Sequence, residues 1–166
     1  MVPLPAPRIP VVDISELIGS ETRAARMSTS DPASRLHKEA AVHAAKYRAA
    51  DGGNAQARNN TLANAVRTYR RLLDTPALKS YTRRDAALFE LAYLHQRAAQ
   101  MMKARKVFYD LIRNHPNSRY VVGAYLAFGD YFYSSKGGPN AGLFYDKVLR
   151  FPDSPARDYA RFMKAR

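Results

Sequence analysis

The 166-residue chain contains no cysteine. That excludes disulfides, thiol catalysis, thiolate zinc ligands and lipid attachment through a thioether. No apolar run approaches the roughly 18 residues that a membrane-spanning helix needs. Acidic groups are scarce: 14 Asp and Glu stand against 27 Lys and Arg, a formal charge of +13. The excess grows along the chain, since residues 101–166 carry 12 basic and 5 acidic groups. Such a balance favours acidic partners: nucleic acid, an anionic membrane surface or an acidic protein. It does not speak to fold. The hydrophobic share of 46% suffices for a core, and the length suits one domain.

Catalytic patterns are also lacking. The four histidines, His37, His43, His95 and His115, form neither an HExxH motif nor an i, i+4 pair. Ser34 and Lys38 are four apart, where a serine–lysine nucleophile motif needs three. "SSKGGPNAG" has glycines and a lysine but not the spacing of a phosphate loop, and no strand precedes it. The expectation is a protein that is not an enzyme and uses no cofactor and no metal.

What is present is helix. Residues 1–32 read as a proline-rich leader, extended or partly disordered, with room for a short helix from Asp13 to about Arg26. Asp31 and Pro32 then suit the N-cap and first position of a helix. Apolar groups recur at helical spacing from there to the end, interrupted at Gly52–Gly53, Pro76, Pro116, Gly137–Gly138 and Pro152. "YVVGAYLAF" is locally strand-prone, yet Tyr125, Phe128, Gly129 and Phe132 keep the helical period, which predicts helix.

The proline-terminated helices align on one another. Ala65, Tyr69, Leu72 and Pro76 lie at offsets 0, 4, 7 and 11; Ala104, Phe108, Leu111 and Pro116 at 0, 4, 7 and 12; Ala141, Tyr145, Val148 and Pro152 at 0, 4, 7 and 11. The helices before them match too: Leu88, Leu91, Ala92 and His95 align with Tyr125, Phe128, Gly129 and Phe132, 37 residues apart. Two helices per unit at this period mark a solenoid. Small residues let paired helices approach closely, an aromatic one turn later fills the gap, and proline ends the helix because it cannot continue it.

These residues resemble the tetratricopeptide repeat (TPR) family. The resemblance implies an all-α, right-handed solenoid of antiparallel helix pairs, about three repeats plus a further first helix. The units fall at about 33–77, 83–117 and 119–153, with 155–166 partial. Departures are Leu72, Leu111 and Val148 in place of a small residue, His95 in place of an aromatic, and the extra stretch "DGGNAQARNNT" in the first unit. The stretched periods of 37 and 39 are similar to those of bacterial cell-envelope TPR proteins of the outer-membrane assembly lipoprotein, Tol–Pal coordinator and gliding-motility types. That likeness implies a non-catalytic scaffold or adaptor for a protein partner, with a periplasmic or outer-membrane setting; a cytoplasmic setting is the alternative. "SPARDYARFMKAR" reads as a first helix without its partner, as in a piece of a longer repeat protein.

Two surfaces are expected. In the TPR register the first helices line a concave groove through Phe89, Glu90, Tyr93, Gln96 and Arg97, then Leu126, Asp130 and Tyr133; the competing placement of Phe89, Tyr93 and Tyr133 is in the core. An aromatic groove with a few charges suits a peptide or a partner helix, acidic in view of the charge. The basic patch Arg67, Arg70, Arg71, Arg83 and Arg84 lies in an aromatic-containing run, and that pattern gives nucleic acid as the second partner class. The oligomeric state is not legible.

Overall fold

The structure, a computed structural model, describes residues 31–50, 54–135 and 138–165. Among these it has seven α-helices and no strand: α1 (Pro32–Ala49), α2 (Ala55–Asp74), α3 (Arg84–Arg97), α4 (Met101–Asn114), α5 (Val121–Ser134), α6 (Gly138–Leu149) and α7 (Arg157–Lys164), with a 3₁₀ turn at Pro76–Leu78. Residues 1–30 of the expected leader, its short helix and the glycine stop at Gly52–Gly53 lie outside the described residues, while Asp31 and Pro32 begin α1. Gly137 lies outside them too. Gly138 opens α6 rather than ending α5, which stops at Ser134.

Helix starts follow the caps. The Asp31 carboxylate accepts the Ser34 amide at 2.9 Å, and Pro32 occupies the first turn. The Asn54 side chain accepts the amides of Gln56 at 2.8 Å and Ala57 at 3.3 Å. Much of the inserted stretch "DGGNAQARNNT" is therefore helix: it lengthens α2 to 20 residues, against 14 for α3 and for α4. The strand-prone "YVVGAYLAF" lies in α5, as its period predicts.

The helices pack as hairpins: α1 on α2, α3 on α4, α5 on α6, with α7 against α6. Neighbouring hairpins join through α2 to α3 and α4 to α5, and α1 also reaches α3. This is a helical-repeat solenoid of the TPR type. The repeat is visible in the turns. The amides of Leu78, Ser118 and Ser154 donate to the carbonyls of Thr75, His115 and Phe151; those of Tyr81, Val121 and Arg157 then donate to Leu78, Ser118 and Ser154. In the last two turns the serine hydroxyl also accepts the amide two residues on, at 3.2 Å in both. One sequence signal thus makes one backbone path three times.

The core is built on the aligned positions. Ala65, Ala104 and Ala141 are buried, as are the wedges Tyr69, Phe108 and Tyr145 and the residues Leu72, Leu111 and Val148. Close approach explains both helical glycines of α5. A Cβ on Gly129 would sit 2.6 Å from Tyr145 Cε1, and one on Gly123 would sit 2.6 Å from Phe89 Cε2.

Candidate interaction surface

Polar groups inside the solenoid tie one repeat to the next. His37 on α1 donates from Nε2 to Glu90 Oε2 on α3 at 2.8 Å, and its Nδ1 meets the Tyr81 hydroxyl at 2.9 Å. The same Glu90 oxygen accepts the Tyr69 hydroxyl of α2 at 2.7 Å. Burial, then the Glu90 charge, pushes the Tyr69 phenol well up, so it remains a donor. Asp130 on α5 repeats the device: its Oδ1 accepts Tyr145 of α6 at 2.8 Å and Tyr159 of α7 at 3.1 Å. Burial raises the Asp130 carboxyl, while the two phenol hydrogen bonds oppose that rise. Burial and the Asp130 charge push both phenols up. Asp85 accepts the Ser118 hydroxyl at 2.7 Å, joining α3 to the turn before α5.

The expected groove is therefore largely occupied. Phe89, Tyr93 and Leu126 are 1%, 2% and 1% exposed, and they are core. Phe89 stacks on Tyr120 at 5.3 Å and on Tyr93 at 6.4 Å, and lies over Gly123. The missing Gly123 side chain makes room for the Phe89 ring, which reaches from the second hairpin to the first helix of the third. Glu90 and Asp130 are held in the networks above. Gln96 and Tyr133 are half-buried, and Arg97 is exposed. The eight residues do not form one open groove.

The basic stretch also divides. Arg84 donates to the carbonyl of Leu73 at 2.7 Å and that of Leu78 at 3.4 Å, closing the C-terminal end of α2. It is a structural cap rather than part of a free surface. Arg83, half-buried, precedes α3, and Arg71 is exposed. Arg67 lines a site not foreseen from the sequence, and the Arg70 charge acts on His95 there.

That site is a depression of about 530 Å³ beside α2. One stripe of α2 forms a wall: Asn59, Leu62, Ala63, Val66 and Arg67, at helical spacing. His95, from the last turn of α3, and Gln100 and Lys103, from the start of α4, complete it. α2 has six more residues than α3. Leu62 and Val66 are only partly covered.

The turn at the rim is tightly specified. The amides of Ala99 and Gln100 donate to the carbonyls of Gln96 and His95 at 3.0 and 2.9 Å, a Schellman closure of α3. Ala99 takes the left-handed conformation this closure demands, φ 56°, where glycine is usual. The closure brings the Gln100 side chain to His95 Nδ1 at 2.8 Å. Burial lowers the His95 pKa, and the charges of Arg70 and Lys103 add to that despite the Gln100 hydrogen bond. The ring is thus neutral at pH 7. Among the described residues no carboxylate lines the depression. The insertion before Thr61, which reads in the sequence as a departure from the repeat, supplies Asn59 of the lining.

Among the described residues no helix is long and apolar enough to cross a membrane, and no group of three or more potential ligands is placed to hold a metal. Neither curated proteins nor solved structures yield a match to this chain. One family model does match: residues 86–118, which run from α3 through α4 into the following turn, are similar to the tetratricopeptide repeat.

Proposed function

We propose that the chain is a non-catalytic scaffold that binds an acidic protein partner within a multiprotein assembly of the bacterial cell envelope. The tetratricopeptide match over residues 86–118 supports the protein partner. The observation that carries the charge preference is where the carboxylates go. Asp85, Glu90 and Asp130 are turned inward to serine, histidine and tyrosine. Arg35, Lys38, Arg71, Lys79, Lys103, Lys106 and Arg113 meanwhile stay exposed. Asp31, Glu39, Asp74, Asp153 and Asp158 are exposed as well, and the excess of basic groups over the whole sequence, +13, favours an acidic partner. The envelope setting, periplasmic or at the outer membrane, rests on the stretched repeat periods and the turns Pro116–Ser118 and Pro152–Ser154.

Nucleic acid is the second reading, favoured by the same charge. A salt titration separates the two, because affinity for a polyphosphate falls steeply with salt. The purified chain is expected to leave a labelled single-stranded oligonucleotide unbound at physiological salt while retaining a crosslinked protein partner in the source cell. Tight oligonucleotide binding at that salt without a protein partner would reverse the order. Fractionation of the source cell tests the compartment: recovery of the protein with the cytoplasm removes the envelope assignment.

A further inference from the structure

The geometry points to the ledge between α2 and the start of α4 as the docking site for an acidic polypeptide segment, its carboxylates held by Arg67 and Lys103 and its apolar side chains laid on Leu62 and Val66. This rests on the scaffold reading and deepens it. Arg67 and Lys103 line the same depression from different hairpins, so a segment seated there bridges two repeats. Both are exposed, and neither has an acidic partner among the described residues. Arg67 has only a 3.5 Å contact to Asn64. Arg70 and His95 add a third cation and a neutral ring to the same surroundings. The α4 start contributes further, since its N-cap, Gln100, spends its side chain on His95 and makes no cap hydrogen bond, leaving the positive end of α4 towards the ledge.

Charge complementarity selects the occupant. A site with cations at its edges, no carboxylate among the described residues of its lining and an apolar strip on one wall accepts Glu or Asp beside Leu or Val. A bare phosphate backbone would leave Leu62 and Val66 uncovered. Charge-assisted hydrogen bonds to Arg and Lys supply the strength, and the partly covered apolar strip adds area. The inserted stretch before Thr61 contributes Asn59 to the lining.

The test uses the full chain and a labelled peptide of four Glu-Leu repeats, read by fluorescence anisotropy. The Arg67→Ala, Lys103→Ala double variant is expected to weaken binding by about tenfold or more. The Lys38→Ala, Lys79→Ala variant, which loses the same charge elsewhere, should stay close to the parent. The His95 ring signals should shift on peptide addition. Equal weakening by both variants would show diffuse charge and overturn the site. Equal binding of the Gln-Leu peptide would overturn the carboxylate requirement. Tighter binding of an oligothymidine, lost in the Arg67, Lys103 variant, would reassign the ledge to nucleic acid. Both variants should keep the parent's circular dichroism, since all four positions are exposed. If the peptide fails but the cell's own protein partner still co-purifies with the double variant, the ledge is wrong and the scaffold reading stands. If no protein partner is captured by the parent chain, the scaffold reading itself falls.

Discussion

Asp130 shows how one residue can hold a junction between repeats. Replacing it with Ala leaves the fully buried Tyr145 hydroxyl and the half-buried Tyr159 hydroxyl without their acceptor. The expected loss is about 1–3 kcal/mol for the first and less for the second, read by urea unfolding. Asp130→Asn keeps an acceptor and removes a buried charge, so its loss should be much smaller. The pH dependence has a definite sign. The folded carboxyl holds its proton to higher pH than the unfolded one, so the parent should gain stability relative to Asp130→Asn as pH falls from neutral towards the unfolded value near 3.8. His95 behaves oppositely. Its folded pKa lies below 6.5, so its contribution is full above pH 6.5 and lost as pH falls through the folded value. A proton NMR titration giving a His95 midpoint at or above 6.5 would contradict this. Ala99 offers a third case: with φ 56°, Ala99→Gly should stabilise by about 1 kcal/mol in thermal unfolding.

Elements are limited by how closely they approach. Gly129 and Gly142 make the point in one hairpin. At Gly129 an added methyl would meet the Tyr145 ring, which is fully buried and tethered by Asp130, so it cannot yield cheaply. Overpacking costs about 1–3 kcal/mol, partly offset by the roughly 0.5–1 kcal/mol that Ala gains over Gly in a helix. Gly129→Ala should therefore lower the melting temperature. At Gly142, inside α6, a Cβ would meet nothing within 4 Å. Gly142→Ala should raise it by the propensity alone. Equal effects at the two positions would contradict the close α5–α6 approach. The Gly129 contact was legible beforehand from alignment with Ala92. The Gly123 contact was not, because it lies outside the repeated positions and serves a neighbouring hairpin.

For the whole molecule, stacking decides which surface remains. The repeat spacing told which side of each helix was apolar, and the buried Ala, aromatic and aliphatic positions agree with it. It did not tell how far a neighbour extends. Phe89, Tyr93 and Leu126 were placed in a groove by register, yet all three are buried, Phe89 against Tyr120 and Gly123 of the next unit. Arg84 was grouped with its basic neighbours, yet it reaches back to the carbonyls ending α2. Conversely, Leu62 and Val66 belong to an apolar face that is only partly covered. Replacing Leu62 and Val66 together with Ser should weaken peptide binding at the ledge in fluorescence anisotropy while the helices keep their circular dichroism signal.

By itself, the sequence determined the helical class, the pairing of helices, the turns at Pro116 and Pro152 and the basic charge. These depend on local periodicity, backbone restriction by proline and simple composition. Only the tertiary structure decided which carboxylates turn inward, which predicted groove residues become core, and where the ledge opens. Those depend on contacts between residues far apart in sequence, which a repeating pattern does not carry.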